Sequence, residues 1–176
     1  SLWTLFKKLF ILCNDHPTTF NKLPELFFTN TALRAGNLHF SNYYAWNFQR
    51  FLFNVFKIQS SCRASGSILD EVKKFACTHH TDSAAWCCYT DCVSISKKGL
   101  ELTCFEYNRV STVKKLQVTP STGLLLDGPD SKHQLLELSR WLWSNEVISE
   151  VPYHAFRRLL VYNVRVWKEI AIARKL

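Results

Sequence analysis

The chain has 176 residues, of which 47% are apolar and 20% are charged, and its formal net charge is +8. This composition excludes an intrinsically disordered chain, and no apolar run reaches the roughly 18–20 residues that a membrane-spanning helix needs. We therefore expect a single globular domain over residues 1–176, with a helical part over about 1–90 and a sheet plus C-terminal helices over about 91–176.

The cysteine content indicates where the protein resides. The sequence has seven cysteines, an odd number, and no Asn-x-Ser/Thr sequon. Both features favour a reducing compartment, so we expect an intracellular protein of the nucleus or cytoplasm. The chain begins at Ser1 and contains no Met, which predicts a piece of a larger intracellular or viral protein.

The N-terminal part of the sequence predicts helices. Leu2–Cys13 is apolar, but Lys7 and Lys8 interrupt the run that a signal peptide would require, so a core helix is favoured over a secretory or membrane-surface segment. Leu23–Leu33 predicts a second helix. A further helix is predicted to begin at Ser67, which precedes two acidic residues.

The clearest periodic segment is Leu38–Ile58. Aromatic and aliphatic side chains recur on one side at helical spacing, and a polar stripe of Asn47, Arg50, Asn54 and Lys57 follows the opposite side. This pattern predicts a core helix with a solvated polar face, rather than an aromatic platform for nucleic-acid bases.

The pattern changes to a period of two after residue 92. Val93 and Ile95 alternate with serines, Ser96-Lys97-Lys98-Gly99 predicts a turn, and alternation resumes at Leu100. We therefore expect a small antiparallel β-sheet over about residues 93–126. Two helices follow, the last of them from Pro152 to about Arg174. The predicted fold class is α+β, predominantly helical, with the sheet between N-terminal and C-terminal helices.

A cluster of cysteines and histidines precedes the predicted sheet. Zinc requires four nitrogen or sulfur ligands, and the best candidate set is Cys77, His79, Cys88 and Cys92, with His80 or Cys87 as substitutes. The spacing lacks the paired Cys-x-x-Cys motifs of zinc ribbons, and buried free thiols would give the same composition. No cofactor is expected, apart from this candidate structural zinc.

The same cluster raises the question of catalysis. The sequence Trp86-Cys87-Cys88-Tyr89 resembles the cysteine-beside-aromatic context of papain-like viral proteases, which implies a nucleophilic thiol paired with His133 or His154. The sequence shows no third member of a triad, and phosphate-binding and hydrolase motifs are absent. A non-enzymatic protein is therefore favoured over a cysteine-dependent enzyme.

Basic residues concentrate in the last predicted helix. Five of them fall on the face opposite an apolar stripe: Arg157, Arg158, Arg165, Lys168 and Lys175. Such a face suits an acidic protein partner or a phosphate backbone. The sequence thus predicts an interaction or assembly module that binds another protein chain through this helix, with direct binding of RNA or single-stranded DNA as the alternative.

Overall fold

The computed structural model describes residues 1–17, 24–59, 61–118, 129–161 and 172, and every regular element within these ranges is an α-helix. The helices are α1 (Leu2–Asp15), α2 (Pro24–Leu38), α3 (Tyr43–Ile58), α4 (Cys62–Thr78), α5 (Ser83–Val93), α6 (Lys97–Val110), α7 (Pro129–Ser144) and α8 (Glu150–Val161). None of these helices is long and apolar enough to cross a membrane.

Helix α3 is the centre of the fold. It packs against α1, α2, α4, α5 and α6. Its apolar side is fully buried because Phe48, Leu52 and Val55, at spacings of three and four residues, face the core together. The sequence prediction of a core helix is therefore confirmed, although α3 begins at Tyr43 rather than at residue 38.

An aromatic cluster joins the N-terminal helices to α3. The ring of Phe10 on α1 meets the rings of Phe28 on α2 and Phe56 on α3 edge to face, with centroids 5.5 and 5.6 Å apart. Edge-to-face pairs place the positive ring edge against a negative face. This cluster anchors one side of α1 in the core, as its sequence predicted. Other apolar residues of α1 are exposed, namely Leu2, Leu5, Leu9 and Leu12.

A buried acid connects two helix junctions. The Asp82 carboxylate caps α5 by accepting from the Ala85 amide at 2.9 Å, and its other oxygen accepts from the amide of Ser41 at 3.1 Å. Ser41 lies in the α2–α3 turn and has a φ of 53°. The bond to Asp82 supports this left-handed backbone, which is otherwise unfavourable for serine.

The predicted antiparallel β-sheet over residues 93–126 is wrong. Val93 is the last residue of α5, residues 97–110 form α6, and residues 112–118 have no regular secondary structure. Residues 119–128, which carried the last predicted strand, lie outside the described part of the chain. Within the described residues the fold is all-α, not α+β.

The physical reason for the error lies at the start of α6. Ser96 does not form a hairpin turn but caps the helix, because its hydroxyl accepts from the Gly99 amide at 3.0 Å. The buried positions Leu100, Thr103, Cys104 and Tyr107 follow helical spacing. The apolar residue that completed the apparent alternation, Leu102, is exposed.

Candidate functional site

A polar cavity of about 390 Å³ lies between α1, α3, α5 and α6. Polar side chains from all four helices and from the cap of α6 line it, among them Lys7, Asn47, Arg50, Asn54, Asp91, Ser96 and Thr103. We call this space the polar cavity. Three of its residues belong to the polar stripe of α3 that the sequence assigned to solvent. That stripe was the one sequence signal for the cavity.

Arg50 is the central charged group of the polar cavity. Its guanidinium forms an ion pair with Asp91 of α5 and donates to Asn47 Oδ1 at 3.1 Å. The ring of Tyr43 lies 5.9 Å from the guanidinium carbon, within reach of a cation–π contact. Burial alone would lower the pKa of Arg50, but the charge and hydrogen bond of Asp91, together with the nearby Cys88 and Cys87, raise the pKa overall. Arg50 is therefore a fixed, permanently charged donor.

Asp91 is shared between two arginines. Its Oδ2 atom accepts from Arg50, and its Oδ1 atom accepts from Arg158 Nη2 of α8 at 2.7 Å. Arg158 also donates to Thr90 Oγ1 at 3.4 Å. This network ties α3, α5 and α8 together beside the polar cavity, so Arg158 has a structural role within its own chain.

A second depression, the α1–α6 groove, adjoins the polar cavity. It has a volume of about 240 Å³ and is lined by Lys7, Lys8, Ile11, Leu102, Phe105, Glu106 and Arg109, among others. Lys7 donates to Glu106 Oε2 at 2.6 Å, and both residues also line the polar cavity. Their ion pair therefore lies where the two spaces meet.

The walls of the α1–α6 groove combine apolar and basic side chains. Leu102 and Phe105 on α6 are 59% and 64% exposed. Lys8 on α1 and Arg109 on α6 are exposed beside them. No ion-pair partner of either cation is found among the described residues. The sequence pattern did not predict the groove, because residues 100–104 of α6 were assigned to a strand and Lys8 to the polar edge of a core helix.

The predicted basic face is only partly visible. Arg157 is exposed on α8 and Arg158 is engaged with Asp91. Arg165, Lys168 and Lys175 lie outside the described residues. The contact of this face with a partner remains a prediction.

The four predicted zinc ligands occupy two helices and a helix end. Cys88 and Cys92 of α5 are buried, and burial raises the pKa of Cys92, with the neighbouring Cys88 adding to the shift. Burial also raises the pKa of Cys77 to about 11. The ring of His79 stacks on that of Phe75, with centroids 4.0 Å apart.

Within the described ranges, no group of three or more His, Cys, Asp and Glu side chains is arranged to hold a metal ion. Zinc binds thiolates rather than thiols, so the raised pKa values would also oppose its binding. A structural zinc stays a prediction.

The thiol–imidazole pair required for cysteine catalysis is not formed in the described structure. Cys87 and His154 line the same shallow pocket, but the Cys87 sulfur contacts Arg158 Nη1 at 3.5 Å. His154 instead faces Glu150 of its own helix at 3.9 Å, and His133 faces Glu137 at 3.6 Å. This geometry gives no support to the resemblance to papain-like proteases.

Sequence similarity identifies the family of the chain. The ECM9 middle domain family matches residues 2–116, which is about two thirds of the chain. The chain belongs to the ECM9 middle domain family. The matched range contains α1–α6, and with them the lining of the polar cavity and of the α1–α6 groove. Arg158 and the rest of α8 lie beyond it.

A relative supports the same assignment. The chain is 31% identical over 171 residues to Protein ECM9 of Saccharomyces cerevisiae, an alignment that covers 93% of the chain and 42% of the yeast protein. The chain thus spans about two fifths of the length of this ECM9 relative. Neither the name of the family nor that of the yeast relative refers to a catalytic reaction, and neither supports a viral source. No solved structure matches the chain.

Proposed function

We propose that this ECM9 middle domain is a non-enzymatic, intracellular interaction module that binds an acidic, amphipathic segment of another protein in the α1–α6 groove. The observation that carries the proposal is the exposure of Leu102 and Phe105 beside two cations. Large apolar side chains that line a groove are characteristic of peptide-binding surfaces, in which they pack against the apolar face of a helix.

The basic residues of the groove indicate the charge of the segment that binds there. Lys7 and Glu106 compensate each other, whereas Lys8 and Arg109 have no acidic partner among the described residues. The whole chain carries a net charge of +8. An acidic segment would be attracted by both the local and the overall charge, and a basic segment would be repelled.

The basic C-terminal helix adds to this proposal as a secondary contact. Arg157 is exposed on α8, and an acidic partner that reached α8 would meet it. Arg158 has its in-chain partner Asp91. We therefore assign the apolar contact to the groove and long-range attraction to the basic residues of the C-terminal part.

A defined peptide tests the proposal. The probe is a fluorescein-labelled helical peptide of about 16 residues with leucines on one face and glutamates on the others, and its control replaces each glutamate with lysine. Fluorescence anisotropy should show saturable binding of the acidic peptide only. Phe105→Ser and Lys8→Glu should each weaken it at least about tenfold.

Matched variants control for general changes in surface properties. Phe40→Ser removes a phenylalanine that is 68% exposed outside the groove, and Lys74→Glu reverses an exposed charge on α4. Both should bind like the wild type. The proposal is contradicted if the groove and control variants lose affinity for the acidic peptide equally, or if the wild type does not bind this peptide.

Nucleic acid is measured in the same assay as the competing outcome. Labelled single-stranded RNA and DNA are titrated at about 50 and 200 mM salt, because binding through several phosphates weakens steeply over that range. Salt-sensitive binding that Arg157→Glu abolishes and Phe105→Ser leaves intact would replace the peptide proposal with nucleic-acid binding.

A further inference from the structure

We propose that the polar cavity is a binding site for a small anionic metabolite that carries a carboxylate or phosphate group. The site adjoins the α1–α6 groove and shares Lys7, Leu102 and Glu106 with it, but Arg50 and Ser96 line the polar cavity alone. The inference does not depend on the proposed function. A cavity of about 390 Å³ falls within the range of small-molecule sites and exceeds the size of a bare inorganic anion.

Arg50 is the group that would hold the anion. A guanidinium has five N–H donors in one plane, and the described residues accept from Arg50 only at Asp91 and Asn47. The remaining donors belong to a side chain that lines the cavity and is fixed by Asp91, Asn47 and Tyr43. A fixed planar donor recognises carboxylate and phosphate groups at low entropic cost.

The carboxylates of the cavity are already engaged, which argues against a cationic ligand. Both oxygens of Asp91 accept from arginines, and Glu106 Oε2 accepts from Lys7. An incoming cation would have to displace a guanidinium or an ammonium group. An incoming anion could instead use the N–H donors of Arg50 that have no acceptor within the described part of the chain.

The start of α6 adds to the attraction for an anion. Ser96 and Gly99, from its cap and first turn, line the same cavity as Arg50. The N-terminus of a helix carries a partial positive charge and amides without intrahelical partners. Phe51, Ile95 and Leu102 complete the lining, so the carbon skeleton of the metabolite would find apolar contacts beside the charged group.

The test uses inorganic phosphate and malonate as separate probes for the two anion classes. Each is titrated into the 176-residue protein by isothermal titration calorimetry against sodium chloride at equal ionic strength. We expect saturable binding of at least one probe at a stoichiometry of one. Binding of phosphate alone would indicate that the natural ligand is a phosphate ester, and binding of malonate alone would indicate a carboxylate.

Two variants place a competing negative charge in the cavity. Asn47→Asp sets a carboxylate beside Arg50, and Ser96→Asp adds one at the start of α6 while retaining a good helix cap. Each should weaken binding at least about tenfold. Ser96→Asp keeps the experiment decisive if Asn47→Asp unfolds the protein.

Two control variants test whether a loss of anion binding is specific to the polar cavity. Gln117→Glu makes the same charge change at an exposed position outside the cavity, and Phe105→Ser changes only the α1–α6 groove. Both should bind the anion like the wild type. The proposal is overturned if neither probe binds saturably, or if the cavity variants bind as tightly as Gln117→Glu.

Discussion

Two glycines in helix interiors provide a matched test of the packing around α3. Gly36 lies in α2, and a Cβ atom built on it would be 2.8 Å from Cζ2 of Trp46 and 3.4 Å from Cζ of Phe75. Gly66 lies in α4, and a Cβ atom there would have no atom within 4 Å. The same substitution by alanine should therefore have opposite effects at the two positions.

The expected magnitudes follow from two opposing contributions. In both helices, alanine is favoured over glycine by about 0.5–1 kcal/mol because glycine loses more backbone entropy on folding. At Gly36 the added methyl must displace Trp46, which is 1% exposed and packs edge to face against Phe75 at 4.6 Å. Overpacking of this kind costs about 1–3 kcal/mol.

We therefore expect Gly66→Ala to raise the free energy of unfolding by about 0.5–1 kcal/mol. Gly36→Ala should lower it by about 1 kcal/mol, since overpacking exceeds the gain in helix propensity. Urea unfolding followed by far-ultraviolet circular dichroism measures both values. A Gly36→Ala variant as stable as Gly66→Ala would refute the described contact between α2 and α3.

Two further predictions concern α6 and α7. Ser96→Ala should lower the free energy of unfolding by about 0.5–2 kcal/mol, because the Gly99 amide loses its cap; a neutral effect in urea unfolding would contradict the cap. The pKa of Glu137 is lowered because Lys73 donates a hydrogen bond to it, with His133 also nearby. The stabilisation that ionised Glu137 gives to the folded state is complete above its unfolded pKa of about 4.3 and is lost as the pH falls through its lower folded pKa. The stability difference between wild type and Glu137→Gln should therefore shrink below about pH 4 in thermal unfolding, and a constant difference down to pH 2 would exclude the ion pair as its cause.

The helices with strong periodicity were predictable from the sequence. In α1 and α3, aromatic residues recur every three or four positions, and burial of rings such as Phe10 and Phe48 dominates the local energetics. The start of α4 was misplaced, at Ser67 instead of Cys62, because Gly66 resembles a loop residue. A single glycine inside a helix costs only about 1 kcal/mol, which the packing of Ile68 and Val72 offsets.

The segment after α5 was mispredicted because two periodicities coincide there. Leu100, Leu102 and Cys104 alternate as in a strand, whereas Leu100, Cys104 and Tyr107 recur as in a helix. The tertiary environment decides between them. Asn54 of α3 donates to Thr103 Oγ1 at 3.1 Å, and Tyr107 donates to the buried Asp15 of α1 at 3.0 Å. Both contacts join residues far apart in the sequence, so local pattern alone could not reveal them.

The polar cavity and the α1–α6 groove were not predicted from the sequence, because they too depend on contacts between helices. A polar stripe on a helix has the same sequence pattern whether it faces water or a cavity. Arg50 becomes a candidate ligand-binding residue only because α5 places Asp91 beside it. Conversely, the sequence predicted that Arg158 contacts a partner, but in the structure α8 packs against α5 and Arg158 donates to the carboxylate of Asp91. Charge counted along a sequence gives the sign of a partner. The surface that binds the partner depends on which charges are already paired within the fold. In the described structure, the pairing of Arg158 with Asp91 favours the α1–α6 groove and the polar cavity over α8 as candidate sites.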